Sequence, residues 1–255
     1  MIIENAFDFC FGKDSISVVE TSPEGRTTGA VLLVHGLGGS KNSETHLATV
    51  KRLSEMNIAT LRFDFPGHGE SGGTTEELTI GRGAALVDEL ADLLAKRFTG
   101  KPFALLGASY GGSCILASQA SAKAAAIVLR SPVSDYQAVR ARQLGPDGLA
   151  RWEKEGVMDG LISRGRLTPW AFYTDAGQID VYAKAANERA LLLLVQGNKD
   201  TTVPVAHSER LCSAWGGRAD LIQIADGDHS LGDAIHTRMF VDLGCLWIAD
   251  NLENH

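Results

Sequence analysis

Cysteine is scarce in this chain. Its four thiols, Cys10, Cys114, Cys212 and Cys245, fall into no CxxC or Cys/His spacing, so no zinc site is expected. Their expected state is that of buried free thiols. Positive charge is short as well. Against 31 acidic residues stand 24 basic ones, a net charge of −7, and no Lys/Arg block interrupts that balance. A nucleic-acid binder working by phosphate neutralisation is therefore excluded, as is a polybasic membrane anchor. Long apolar runs are missing: the longest, residues 190–195, is strand-length, far from the roughly 20 residues of a membrane span. The N-terminal MIIENAFDFC carries Glu4 and has no basic stretch before an apolar one, so it does not read as a signal peptide. A soluble, cytoplasmic protein is expected. Repeats and low-complexity segments are also lacking.

What is present is an ordinary globular composition. The 255 residues are 44% hydrophobic and 22% charged, which excludes disorder, a collagen-like chain and a disulfide-rich miniature. The length admits one or two domains. Short β-rich runs alternate with longer helical patterns. Strands are expected at residues 15–20, 30–35, 58–63, 103–106, 125–130, 191–196 and 221–225. Helices are expected at residues 43–56, capped by Ser43 and apolar at Leu47, Val50 and Leu53; at 79–98, with Leu86, Leu90, Leu93 and Leu94 on one face; at 110–121; and at 235–252, with Phe240, Leu243, Leu246 and Trp247 turned inward. Continuous apolar strands separated by helices predict an α/β fold, a mostly parallel sheet covered on both faces. Residues 132–190 break the rhythm, being too long for a plain loop, and read as an inserted cap of helices and a short hairpin. The core is then residues 1–131 together with 191–255.

G-x-S-x-G occurs twice, around Ser71 and around Ser109. The pattern at residues 107–111 follows a strand and opens at once into a helix, a strand–turn–helix elbow that would hold Ser109 up at the carboxyl end of the sheet. The pattern at residues 69–73 lies behind Pro66 with no immediate helix, so Ser109 is the expected nucleophile. Residues 67–72 also match G-x-G-x-x-G, but Pro66 and the delayed helix argue against a dinucleotide site. The glycine-rich run HGLGG at 35–39 follows a buried strand. Beside the elbow, the backbone N–H groups of Leu37 and Tyr110 would form an oxyanion hole.

A serine needs a base, and the base an orienting carboxylate, following the nucleophile in the order acid, then His. Of the seven histidines, His207, His229, His236 and His255 lie late enough. His207 and His236 fall in helical stretches and His255 ends the sequence, leaving His229 in a polar turn after the last strand. Asp200 follows the preceding strand through Gly197, Asn198 and Lys199. Asp226 and Asp228 are rivals by closeness in sequence alone.

Five motifs now stand in order: HGLGG at 35–39, FDFPGHGES at 63–71, GASYGG at 107–112, QGNKDTTVP at 196–204 and GDH at 227–229. Together they resemble the α/β-hydrolase superfamily of serine hydrolases over nearly the whole chain. FDFPGHGES with Trp152-x-x-x-Gly156 is similar to the bacterial cinnamoyl/feruloyl-esterase-like group, which borders the monoacylglycerol-lipase and serine-aminopeptidase-type hydrolases. Ala108 is a departure, since many relatives carry a polar residue before the nucleophile. The resemblance implies an α/β-hydrolase fold with a small cap after the sixth strand, and acyl transfer through Ser109, His229 and Asp200 without metal or organic cofactor. The expected partner is a small-molecule ester, with no nucleic acid and no membrane. Trp152, Trp170, Phe172 and Tyr173 in the cap would either line an aryl or acyl pocket or pack the cap onto the sheet. Three other functions stay open. An aminopeptidase or amidase could hold a free amine with Glu153, Glu155, Asp159, Asp175 or Asp180. A thioesterase or carbon–carbon hydrolase could use the same three residues, and a non-catalytic binding protein could keep the fold.

Overall fold

The computed structural model describes residues 2–254. The described chain opens with β1 (Ile2–Phe11) and β2 (Asp14–Pro23), an antiparallel hairpin of two ten-residue strands. Alternation follows: β3 (Gly29–Val34), α1 (Glu44–Glu55), β4 (Ile58–Phe63), α2 (Ile80–Arg97), β5 (Phe103–Ala108), α3 (Tyr110–Ala117) and β6 (Ala126–Arg130). After β6 come α4 (Tyr136–Glu155), the hairpin of β7 (Val157–Asp159) and β8 (Leu167–Pro169), α5 (Trp170–Ala176) and α6 (Val181–Ala185). The chain returns to the sheet at β9 (Leu191–Gly197) and closes with α7 (Val205–Ala214), β10 (Ala219–Ile224) and α8 (Ala234–Glu253).

The sheet has eight strands in the order β1-β2-β4-β3-β5-β6-β9-β10. Every pair from β4 onward along that order is parallel, and β1 and β2 are antiparallel additions at one edge. Both faces of the central strands are covered, so all six residues of β3 (GAVLLV) are buried. Alternation divides them: Leu32 and Val34 join a core with Leu86, Leu90 and Ile115, while Val31 and Leu33 face Val50, Leu53 and Ile248. Each such side chain contributes about 1.5–3 kcal/mol on burial. Among the described residues no helix is long and apolar enough to cross a membrane.

Local signals account for the element ends. Ser43 caps α1, its hydroxyl accepting from the His46 N–H, and Thr79 caps α2 in the same way through the Arg82 N–H. Gly145, at φ 64°, and Pro146 kink α4, and Gly156, at φ 73°, ends it.

Several expectations need correction. β1 was not expected, because most of its residues are exposed and it carries no core periodicity; its register comes from pairing with β2. Leu47 and Leu246 are 45% and 54% exposed, not inward. Phe240 faces inward as expected, but the rest of the inner face of α8 is Val241, Gly244, Cys245, Ile248 and Leu252, with Gly244 and Ile248 one position beyond the expected Leu243 and Trp247. Cys114 and Cys245 are buried free thiols, but Cys10 is exposed on β1 and Cys212 half-buried.

Candidate active site

Four strand ends and their loops meet at the carboxyl edge of the sheet. Between β5 and α3, Ser109 sits at φ 48° and ψ −114°, a conformation that L residues adopt at a cost of about 1–3 kcal/mol. The flanking glycines make the turn possible. A Cβ on Gly111 would lie 2.4 Å from the Val34 carbonyl oxygen, and one on Gly107 would lie 2.6 Å from Ile115 Cδ1. The Ser109 N–H donates to the Arg130 carbonyl at 2.9 Å, tying the elbow to the end of β6.

Asp200, whose side chain is fully buried, follows β9. Its Oδ1 accepts from the backbone N–H groups of Thr202 (2.9 Å) and Val203 (2.8 Å), and its Oδ2 accepts from Gln196 Nε2 at 3.0 Å. His229 reaches it from the loop after β10. That loop locks onto the β9 loop through backbone: Lys199 N–H donates to the Gly227 carbonyl, and a Cβ on Gly197 would lie 2.1 Å from the same oxygen.

His229 Nδ1 stands 2.8 Å from Asp200 Oδ2, and His229 Nε2 stands 3.0 Å from Ser109 Oγ. Burial alone would raise the Asp200 carboxyl. The hydrogen bonds from His229 and from the N–H groups of Val203 and Thr202 outweigh it and hold the group below its ordinary range. An ionised carboxylate only accepts, so Nδ1 carries the imidazole proton and Nε2 presents a lone pair to the Ser109 hydroxyl. The structure thus brings together three residues 29 to 120 positions apart.

The rivals are occupied elsewhere. Asp226 pairs with Lys199 at 2.6 Å in solvent, and Asp228 accepts from Ser230 Oγ and the Gly232 N–H. His207 lies in α7 and His236 in α8; His255 lies outside the described residues.

The 35–39 loop lies against the elbow: a Cβ on Gly36 would be 3.4 Å from Ser109 Cβ. It is held from the 63–71 segment. His35 Nε2 accepts from the Phe65 N–H at 3.0 Å while its Nδ1–H donates to the Gly36 carbonyl, and burial pulls this imidazole down to about 4, keeping it neutral. His68 Nε2 accepts from the Gly38 N–H at 3.2 Å. Lys41, fully buried, donates through its backbone N–H and its ammonium to the two oxygens of Asp64, at 2.7 and 2.5 Å, and reaches Glu70 as well. The position of Leu37 beside Ser109 therefore rests on FDFPGHGES.

Two cavities open on Ser109, His229 and Leu37. One, of about 200 Å³, is roofed by α4 and lined by Tyr136, Val139, Arg140, Leu161 and Val203. The other, of about 190 Å³, lies on the side of α1 and α8 and includes His35, Thr45, His46, Arg130 and Phe240. The four aromatics expected near substrate line neither. Trp152 is buried and donates through Nε1 to the Thr168 carbonyl, and Trp170 stacks on Tyr173 at 4.7 Å. Phe172 packs between Tyr110 and Tyr136. A buried stripe and a pocket lining share one sequence pattern, and here the stripe forms the interior of the 132–190 segment and, through Phe172, its contact with α3. None of the five acids considered for an amine lines either cavity. Asp159, Asp175 and Asp180 accept from the backbone N–H groups of Gly165, Gly81 and Tyr182.

Sequence reasoning missed Gln196, whose amide bridges Asp200, the Val203 carbonyl and Ser208 Oγ. It also missed Tyr136 and Arg140. Arg130 carried a readable signal, a charge ending the apolar strand AIVLR beside the elbow.

Comparison with known proteins agrees with this fold. A model described as "Alpha/beta hydrolase family" matches residues 31–238. The "Uncharacterized protein YfhR" of Escherichia coli O157:H7 is 27% identical over 205 residues, covering 77% of this chain and 62% of that protein. The chain thus spans less than two thirds of that relative's length. Est1E from Butyrivibrio proteoclasticus, solved with ferulic acid bound, superposes with a TM-score of 0.82 over 96% of this chain and 100% of that one, at 20% identity. The monoacylglycerol lipase of Paleococcus ferrophilus superposes at 0.67 over 98% and 99%, at 18% identity. These likenesses are of fold.

Proposed function

The chain belongs to the alpha/beta hydrolase family, and from that premise we propose that it is a serine carboxylic-ester hydrolase that works through an acyl-enzyme on small to medium esters. The observation that carries this is the continuous path from Ser109 Oγ through the His229 imidazole to Asp200, at 3.0 and 2.8 Å.

In the mechanism, His229 Nε2 takes the Ser109 proton as Oγ attacks the ester carbonyl. Asp200 holds the ring in the tautomer that can do so and stabilises the imidazolium that forms. The N–H groups of Leu37 and Tyr110 receive the oxyanion, each contributing about 3 kcal/mol to lowering the barrier. His229 then protonates the departing alcohol, and water repeats the steps to free the acid. The cavities on either side of Ser109 supply room for the two arms of an ester. Esters are preferred over aminoacyl amides, because among the described residues no Asp or Glu lines either cavity on Ser109 to hold a free amine. The ferulic acid bound to Est1E makes hydroxycinnamoyl esters a substrate group to include.

Fluorophosphonate labelling with peptide mapping tests the reading, alongside turnover of alkyl esters of rising length, methyl hydroxycinnamates and aminoacyl amides. Labelling of Ser109 with ester turnover is expected. An unlabelled Ser109 would sink the proposal, and turnover of amides without esters would replace it by an amidase.

A further inference from the structure

The cavity between α1, α8 and the elbow holds a cation with no counter-charge. Arg130 ends β6 and lines this cavity together with Ser109 and His229. Among the described residues it makes no ion pair. Its guanidinium donates to Thr45 Oγ1 at 3.2 Å and lies over the Phe240 ring, 5.5 Å from the centroid. Burial pulls it down to about 10, so it stays protonated at neutral pH. Asp228, the one acid whose charge acts on it appreciably, is exposed, forms no ion pair with it and is taken up by Ser230 Oγ and the Gly232 N–H of its own loop.

Other groups at the cavity favour a negative occupant without supplying one. The first turn of α1, a twelve-residue helix, contributes Ser43, Thr45 and His46 to the lining, so the positive end of that helix opens on the space. Glu44 in the same turn is exposed and does not line it. His46 is 3% exposed, and its buried Nδ1 has no hydrogen-bond partner. His35 and His46 are both kept neutral by burial, leaving Arg130 as the fixed charge of the cavity. A partly buried cation without an ion-pair partner is costly to a fold and is explained where a ligand brings the opposite charge.

We propose that this cavity is a carboxylate subsite, and that the preferred substrates are esters whose acyl or alcohol arm carries a free carboxylate held by Arg130. The inference rests on the ester-hydrolase reading and narrows it to a substrate class. One guanidinium and a helix end match a singly charged, planar carboxylate, whereas a dianionic phosphate calls for more cations than the site holds. The cavity has room for about six water-sized groups at ~30 Å³ each, enough for a short carboxylate arm. Because the Arg130 carbonyl accepts the Ser109 N–H, the residue that reads the carboxylate is fastened to the nucleophile.

The test compares matched esters by pH-stat: monoethyl succinate against ethyl butanoate for the acyl arm, and acetoxyacetate against ethyl acetate for the alcohol arm. The acid-bearing member is expected to have the higher kcat/KM in one pair by about tenfold or more, the effect of one charge-assisted hydrogen bond. Arg130→Met should abolish that preference and Arg130→Lys retain part of it. Succinate should inhibit ethyl butanoate turnover competitively in the unaltered protein, and more strongly than phosphate does, a readout that needs no variant to fold. Preference for the neutral ester in both pairs, a preference that survives in Arg130→Met, or inhibition by phosphate rather than succinate would overturn the subsite. Ester turnover without acid preference rejects the subsite alone; failure of Ser109 to label rejects the hydrolase reading beneath it.

Discussion

Ser71 and Ser109 sit in the same five-residue pattern at the same edge of the sheet, and their surroundings differ in one respect that decides their chemistry. The Ser71 hydroxyl donates to the Asp64 carbonyl at 2.7 Å and accepts from the Ser17 N–H at 2.8 Å. Both its proton and a lone pair are engaged by backbone, and it staples the 63–71 loop to β2. The Ser109 hydroxyl meets an imidazole whose far nitrogen is held by a buried carboxylate. The glycines follow the same division. A Cβ on Gly69 would lie 2.2 Å from Asp64 Oδ2, so this glycine makes room for a carboxylate that binds Lys41. Gly111 makes room for the backbone of β3, which lets the elbow close. One loop uses the pattern to be rigid; the other uses it to present the Ser109 hydroxyl to His229, and the 35–39 loop beside it is held by the first.

The widest separation between the two serines should come from removing each hydroxyl. Ser109→Ala is expected to lower kcat by about 10⁴-fold or more and abolish fluorophosphonate labelling. Ser71→Ala should keep Ser109 labelling, losing about 1–3 kcal/mol of stability as the Ser17 N–H and Asp64 carbonyl lose their partner. Steady-state kinetics, mass mapping and urea unfolding read these; labelling lost in Ser71→Ala and kept in Ser109→Ala would reverse the assignment. Asp200→Asn tests the carboxylate behind the imidazole: it should retain the fold and drop kcat by about 10³- to 10⁴-fold, because an amide can donate to Nδ1 and favour the wrong tautomer. An activity close to that of the unaltered protein would remove Asp200 from the mechanism.

On the Ser71 side, Lys41→Met strands Asp64 as a buried unpaired charge. The expected loss is about 3–5 kcal/mol of stability, seen as a lower urea midpoint, with a fall in kcat because the 35–39 loop loses its anchor. An unchanged midpoint would show that the ion pair is not what holds that loop. The smallest effect is the dependence of stability on pH. Burial would raise the Asp64 carboxyl, but the Glu70 N–H and Lys41 outweigh it, so Asp64, like Asp200, is held below the ordinary carboxylate value near 4. The stability each contributes is complete above that ordinary value and is lost as pH falls through the lower folded-state one. The urea midpoint should therefore decline below about pH 4, and less steeply in Asp64→Asn. A slope unchanged by that substitution would mean that other carboxylates dominate the acid limb.

Much of this was legible along the chain, element by element. β3 shows a buried strand as an unbroken apolar run, and Ser43 and Thr79 cap the helices that follow β3 and β4. β1 was not legible, since an edge strand lying mostly in solvent has no periodic face and is recruited by its partner. Leu246 deceived for the opposite reason: α8 is apolar on several sides, so periodicity alone does not choose its inner face.

The sequence by itself determined what depends on near neighbours: the alternation of strand and helix, the glycines that permit the elbow, and the order of serine, acid and histidine. Only the tertiary structure decided what depends on distances between remote side chains. It placed Gln196 behind Asp200, closed Trp152 into the interior of the 132–190 segment, packed Phe172 against Tyr110 of α3, and left Arg130 lining a cavity with no ion pair among the described residues. The physical reason is range. Backbone preference and periodicity act over a few residues and are written in the local pattern. Whether a buried charge finds a partner is settled by every element that packs around it.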